Sequence, residues 1–327
     1  MAGLMRPPAF WDGSPNHPAA LALAPLGALY GRMTAARMAR PGRPGPCPVL
    51  CLGNFTLGGA GKTPTALALA EILRGLGRAP AFLSRGYGGR LAGPVQVDPA
   101  RHGFADVGDE ALLLARFAPA VVARDRAAGA ALCAACGADV VVMDDGLQNP
   151  GLAKDLALVV VDAGSGIGNG RPFPAGPLRA PLARQWRHVA GLILVGSGEP
   201  GARVAGAAQA RGLPVHRAAL EPEGAGFAGR RVLAFAGIGR PRKFFATLSA
   251  CGAEIAATRS FPDHHPYGAG DLAALTAEAE RLGADLVTTE KDAVRLPAGF
   301  GAQVLPVRLR FADPEAIQAQ IAAVLAP

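Results

Sequence analysis

Leu52-Gly53-Asn54-Phe55-Thr56-Leu57-Gly58-Gly59-Ala60-Gly61-Lys62-Thr63-Pro64 lies between an apolar strand-like stretch, Pro48 to Leu52, and a helix-like stretch, Thr65 to Leu76. Glycines at 58, 59 and 61 let backbone N–H groups converge on an anion, and the helix that follows turns its positive end to the same point. Lys62 is spaced to reach β- and γ-phosphates, and Thr63 to set a hydroxyl on Mg²⁺. Thr56 stands where the usual G-x-x-x-x-G-K-[ST] pattern has its first glycine. The loop Thr56, Gly58, Gly59, Ala60, Gly61, Lys62 and Thr63 is thus expected to cradle nucleotide phosphates.

Outward from this loop, short β-branched runs alternate with alanine- and leucine-rich helical stretches. Fully apolar runs such as Val140-Val141-Val142-Met143 read as strands buried on both faces, hence a parallel sheet covered by helices. A second alternation begins near Arg230, with a strand over 232–236, helices from Pro241 and Asp271, and a strand over 286–289. The expectation is an α/β chain: a P-loop NTPase-like parallel-sheet domain over 41–214 and a smaller C-terminal α/β domain over 215–327. Segments 215–220 and 304–311 flank the smaller unit and are expected to pair as a two-stranded hinge.

The 327 residues suffice for such a chain, and half of them are apolar. The net charge of +8 rests on arginine, since lysine occurs only at positions 62, 154, 243 and 291. Arginine forks suit phosphates, so an anionic substrate or an anionic membrane is admissible. No basic segment interleaved with aromatics calls for nucleic acid, and no obligate protein partner is evident. The five cysteines form no framework and read as thiols of a reducing compartment. No apolar run is long enough to cross a bilayer. Residues 1–40 are nonetheless suggestive: Ala19 to Tyr30 is strongly apolar and Arg32, Arg37 and Arg40 follow. That segment is either a helix lying in a membrane interface or one packed on the core.

Other motifs carry chemistry. The Val-Val-Val-Met strand ends in Asp144-Asp145-Gly146, where carboxylates can hold Mg²⁺ beside a P-loop strand. Ser84-Arg85-Gly86-Tyr87 is a glycine-rich loop with an arginine and two hydroxyls. Asp109 and Glu110 open a helix, where they either favour its dipole or accept a substrate proton. Asp263-His264-His265 lies in a proline-bounded loop and suits acid–base or orienting work more than zinc. The long loop from Asp162 to Arg179 reads as functional, with Arg171 and Arg179 facing phosphate.

Taken in order, these motifs resemble the tetraacyldisaccharide 4′-kinase (lipid A 4′-kinase) family. The resemblance runs through Gly58-Gly59-Ala60-Gly61-Lys62-Thr63, Ser84-Arg85-Gly86-Tyr87, Gly108-Asp109-Glu110, Asp144-Asp145-Gly146-Leu147-Gln148, Gly168-Asn169-Gly170-Arg171, Pro177-Leu178-Arg179, Asp263-His264-His265 and Thr289-Glu290-Lys291-Asp292. It implies ATP-dependent phosphorylation, with Mg²⁺, of the 4′-hydroxyl of a tetraacyldisaccharide 1-phosphate to give lipid IVA, in lipid A (lipopolysaccharide) biosynthesis. It also implies a peripheral enzyme on the cytoplasmic face of the inner membrane, which tips residues 1–40 toward an interfacial helix. By the same resemblance Lys62 and Thr63 hold ATP phosphates and metal, Asp144 and Asp145 lie near Mg²⁺, and Asp109 is the base. His264, or secondarily His265, pairs with an acid, and Arg179 sits on phosphate or substrate.

Two positions depart from the family pattern. Asn149 stands where histidine is common, and Ala180 where glutamate is common, so a metal-side role for that glutamate does not carry over. A competing reading is a deviant-Walker P-loop ATPase or GTPase acting as an assembly or partition switch. Against it, that class's signature lysine is Leu57 here.

Overall fold

In the computed structural model, residues 8–59, 61–223 and 226–325 are described. The strands are β1 Val49–Gly53, β2 Pro80–Ser84, β3 Val95–Gln96, β4 Ala120–Val122, β5 Val140–Met143, β6 Leu156–Asp162, β7 Gly191–Val195, β8 Val215–Pro222, β9 Arg231–Ala236, β10 Glu254–Ser260, β11 Asp285–Thr289, β12 Gln303–Leu305 and β13 Val307–Phe311. Nine of them form one sheet in the order β13-β8-β7-β6-β1-β5-β2-β4-β3. All its pairings are parallel except the two edges, β13 on β8 and β3 on β4. The other four form a parallel sheet in the order β10-β9-β11-β12.

Alternation along the strands divides the larger core between the two sheet faces. Leu50, Leu52, Val140 and Val142 face one way, under the helices Lys62–Gly75, Asp109–Ala115 and Pro314–Leu325. Val49, Cys51, Val141 and Met143 face the other, under Arg126–Ala135 and Glu199–Gln209. The smaller sheet packs the helix Pro241–Ala250 through Phe244 and Leu248, and the helix Ala269–Leu282 through Leu275 and Ala279.

The chain passes between the sheets twice. After β8, which is bonded to β7, it enters β9; at Pro306 it leaves β12 and becomes β13, antiparallel to β8. Pro306 lacks the N–H a continuous ladder needs, which divides the 304–311 segment between the two sheets. Glu290 fastens this return: it accepts from the Val307 amide at 3.1 Å and from Arg308 Nη1 at 3.0 Å.

β1 therefore lies mid-sheet, flanked by β5 and β6, and the C-terminal ends of all three open toward the smaller sheet. In open α/β sheets ligands bind at this edge.

Candidate active site

The phosphate-loop stretch leaves β1 and enters the helix Lys62–Gly75, whose N-cap is Gly61. Gly61 adopts φ +86°, a left-handed turn that any Cβ would strain, and its carbonyl accepts from Thr65 Oγ1 at 2.8 Å. Helix formation begins at Lys62, not Thr65, since Pro64 is compatible with the first turn. Asn54 donates from Nδ2 to the Gly58 carbonyl at 3.0 Å and pins the loop from inside. Ala60 lies outside the described residues.

A second layer supports this loop. Leu57 N–H donates to Pro177 O at 2.8 Å, Arg179 N–H to Phe55 O at 2.9 Å, and Thr56 forms an isolated bridge with Leu178. Gln148 Nε2 donates to Asn54 O at 2.8 Å and to Gln185 Oε1 at 2.9 Å, both buried. Thr56 thus works as a strand-like contact to the 171–179 loop, a role for which a first-position glycine is not needed.

Asp144 and Asp145 leave the end of β5 beside β1. Asp145 takes φ +53° and turns toward the cations: Arg179 Nη1 donates to its Oδ2 at 2.9 Å, and Lys62 Nζ lies 3.6 Å from Oδ1. Burial pushes its carboxyl up, but Lys62 and Arg179 outweigh this and hold it down at about 2. Arg179 also donates from Nε to Thr56 O at 2.9 Å, so its guanidinium ties Asp145 to the phosphate loop.

Asp144 is the opposite case. It is buried, and neither carboxylate oxygen has a hydrogen-bond partner among the described residues. Burial, with Glu110 adding repulsion, pushes it up to about 7 against the pull of Lys62. An orphaned buried carboxylate next to a phosphate loop fits a divalent cation that takes most of its ligands from phosphates and water. Among the described residues no cluster of three or more His, Cys, Asp or Glu would hold a metal alone. Ala180, where the family commonly has glutamate, is wholly buried and its carbonyl accepts from Gln185.

From across the cleft the smaller sheet supplies His264, in the left-handed region at φ +60°. Its Nδ1 faces both oxygens of Asp109, at 3.0 and 2.8 Å. An ionised carboxylate only accepts, so Nδ1 carries the hydrogen and Nε2 is left as the outward nitrogen. Asp109 is 3% exposed and also lies 3.4 Å from Arg295 Nε. Burial works to raise its carboxyl, but His264, Lys291 and Arg295 together hold it below the ordinary range. His265 turns elsewhere, with Nε2 on Asp271 at 2.9 Å and its ring stacked on Phe261. The Ser84–Tyr87 loop joins the cluster, the Tyr87 ring lying 5.4 Å from that of His264.

Sequence reasoning left several contributors unassigned. Lys291 Nζ stands 3.3 Å from Glu110 Oε1 and 3.3 Å from His264 Nε2. Asp292, wholly buried, accepts from Tyr267 Oη at 2.6 Å, Gly237 N–H at 2.8 Å and Arg295 Nη2 at 2.6 Å, building the floor under His264. Asp162, at the end of β6, binds Arg240 at 2.7 Å and also Lys243, joining the two sheets on the far side of the cleft. Arg171 does not face the phosphate loop: its Nε donates to Pro15 O at 2.6 Å and fastens the N-terminal segment.

A parallel sheet with a glycine-rich phosphate loop on its central strand, and acids on the next strand, defines a P-loop α/β protein of the nucleotide-using class. Within that class, residues 19–326 match the family described as LpxK, Tetraacyldisaccharide-1-P 4'-kinase. The chain is 69% identical over 319 residues to a tetraacyldisaccharide 4'-kinase of Methylobacterium radiotolerans, covering 97% of this chain and 98% of that one. It is 53% identical over 328 residues to one of a Bradyrhizobium strain, covering 97% and 95%. A crystal structure of LpxK from Aquifex aeolicus in complex with ATP superposes with a TM-score of 0.75 at 25% identity, covering 94% of this chain and 99% of that one. The chain belongs to the tetraacyldisaccharide-1-phosphate 4'-kinase family.

Proposed function

We propose that this protein transfers the γ-phosphoryl group of ATP to the 4′-hydroxyl of a tetraacyldisaccharide 1-phosphate, forming lipid IVA in lipid A biosynthesis. The observation that carries the reading is the meeting of the Asp109–His264 pair with the Lys62 and Asp144 edge of the larger sheet. Kinase chemistry needs an activated acceptor oxygen facing a held γ-phosphate. Lys62 and the N–H groups of the phosphate loop bind the phosphates. Thr63 and Asp144 hold Mg²⁺, which when bound neutralises the charge that develops on the phosphate oxygens. Asp145 keeps Lys62 and Arg179 aimed at the loop.

Asp109, expected as the base, has its carboxylate occupied by His264 Nδ1; in this reading it acts through the imidazole, holding Nδ1–H inward so that Nε2 takes the 4′-hydroxyl proton. The acceptor oxygen then bonds to the γ-phosphorus as the bridge to the β-phosphate breaks, and ADP leaves. The larger sheet supplies the nucleotide side of this division and the smaller one the histidine.

The same reading covers the membrane. Gly27 and Gly31 of the helix Pro18–Met38 approach Pro172 and Pro181 so closely that a Cβ on Gly27 would lie 2.7 Å from Pro172 O. The opposite face leaves Leu21, Leu26, Leu29 and Met33 49, 57, 59 and 66% exposed, and Phe173, also exposed, packs against Tyr30 of the same helix. Arg32, Arg37 and Arg40 are exposed just beyond. An apolar face edged by arginines suits an anionic membrane interface, here the cytoplasmic side of the inner membrane. Among the described residues no helix is long and apolar enough to cross a membrane; in this reading the exposed face of Pro18–Met38 docks peripherally.

The deviant-Walker switch is not favoured: its signature position holds Leu57, which has no ammonium to offer a phosphate, and the family match covers residues 19–326. Purified protein given Mg·ATP and the tetraacyl disaccharide 1-phosphate in detergent micelles is expected to yield the bisphosphorylated lipid. Well-folded protein that makes none refutes the reading.

A further inference from the structure

Two cations face the Asp109–His264 pair, and they are held very differently. Arg295 is saturated: it donates to Asp292 at 2.6 Å, Gly237 O at 2.9 Å and His265 O at 3.0 Å, and it is wholly buried. Lys291 has no short bond. Its ammonium stands 3.3 Å from Glu110 Oε1, 3.7 Å from Asp263 Oδ1 and 3.3 Å from His264 Nε2. Charged N–H···O contacts normally close to about 2.7–2.9 Å, so Lys291 is loosely held among three partners. Glu110, Asp109 and Asp263 keep its amine above the ordinary lysine range despite burial. It is therefore a fixed charge on a free end.

Its position decides what that charge meets. Nε2 is the nitrogen of His264 that Asp109 leaves open. An acceptor hydroxyl giving its proton to Nε2 must come within about 3 Å of it, which brings that oxygen beside Lys291 Nζ as well. Lys62, the other lysine of the site, lies against Asp145 on the opposite, nucleotide side. A phosphoryl group crossing from nucleotide to hydroxyl thus passes from one ammonium toward the other. It carries its negative charge on three equatorial oxygens, the place where a preorganised cation lowers a barrier most.

We propose that Lys291 is a catalytic residue of this kinase: its ammonium leaves His264 Nε2 as the acceptor hydroxyl docks and donates to the phosphoryl group in transfer. The inference rests on the kinase reading above. Glu110 and Asp263 remain as its anchors during the swing, which needs only rotation about the lysine stem. No proton leaves Lys291, and the acceptor's proton still goes to His264.

The test is Lys291→Met and Lys291→Ala in the full-length protein, with the micellar kinase assay run beside wild type. Lys291→Met is expected to lower kcat by about 10²–10³, with the Kd of a fluorescent ATP analogue and the KM for the lipid each within about threefold of wild type. Added methylammonium or ethylammonium is expected to restore Lys291→Ala at least tenfold and leave wild type unchanged. A residue that only braces the two sheets predicts the reverse: a raised KM, a lowered melting temperature and no amine rescue. Folded Lys291→Met with near-wild-type kcat, or a loss confined to KM, overturns the proposal. If methionine prevents folding, Lys291→Gln, which keeps a donor to Glu110, is held to the same kcat criterion. A wild-type protein that makes no product removes the kinase reading itself, whereas an active wild type with an equally active Lys291 variant removes only this residue's role.

Discussion

Asp144→Asn gives the sharpest physical test, because it isolates the cost of one buried charge. The carboxyl titrates at about 7 in the folded chain against 3.8 when free. The folded state therefore binds the extra proton between those values, and stability contributed by protonated Asp144 is lost as pH rises through them. Each unit is worth about 1.4 kcal/mol, so the full interval reaches about 4 kcal/mol, of which sharing with Glu110 leaves roughly 2–4 kcal/mol. Asparagine cannot ionise, and the desolvation of its amide does not depend on pH. The stability difference, Asp144→Asn variant minus wild type, is thus expected to grow by that amount between pH 4.5 and 8 without divalent metal. For a chain of this size it appears as a melting-temperature difference widening by about 3–6 °C. Mg²⁺ with a non-hydrolysable ATP analogue is expected to remove the pH dependence of wild type, since a bound cation replaces the missing proton, and to do nothing comparable for the variant. Calorimetric melts across pH, with and without Mg²⁺, measure both effects. A difference that stays flat from pH 4.5 to 8 refutes the reasoning, because Asp144 would then be compensated by protein groups.

The Asp109–His264 contact predicts that Asp109→Asn and His264→Gln each lower kcat by about 10²–10⁴. The double variant should lose no more than the worse single one, because the pair acts as a unit; multiplying losses in steady-state assays would separate the two residues. Leu26→Glu with Leu29→Glu is expected to cut co-sedimentation with anionic vesicles at least tenfold while kcat in detergent micelles stays within about twofold. Unchanged vesicle binding would leave the exposed apolar face without a role in docking.

Much of the larger sheet was legible because its signals are local. The glycine run between a strand and a helix, and the β5 apolar run ending in two aspartates, each announce themselves within a dozen residues. β4 is not legible because a three-residue strand between Pro119 and Ala123 carries no period, and β10, Glu-Ile-Ala-Ala-Thr-Arg-Ser on an edge, lacks a buried face to write one. Within the site, the phosphate loop and Asp144 could be placed from the chain alone. Asp109 was ambiguous there, since an acid in a helix's first turn has a dipole reason to exist. What resolves it is His264, 155 residues later, and nothing local predicts that encounter. Glu110 and Lys291 each stand in a legible motif, but their encounter across 181 residues, and with it a role for Lys291, is not written locally. Gln148 closes the second aspartate motif without a role of its own there and Gln185 lies outside every motif; burial against the phosphate loop gives both their work.

In the proposed mechanism the base is distributed over two sheets, with a consequence for water. Asp109 belongs to the larger sheet's helix, while His264 and Lys291 come with the smaller sheet, so the base exists only while the two are together. On the far side of the cleft, Asp162 holds Arg240 and Lys243 across the same boundary. The first pair is buried on the Asp109 side, while the partly exposed Arg240 and exposed Lys243 add little, about 0–1 kcal/mol each; among the described residues the two sheets keep separate apolar clusters, with Val294 of the smaller unit packed against the larger one. A water molecule entering alone, in that mechanism, meets His264 with its Nε2 covered by Lys291. An acceptor large enough to displace that lysine uncovers the base; water gains too little from the exchange. Selection against hydrolysis then follows from the size and charge of what must be moved, with no further gate required.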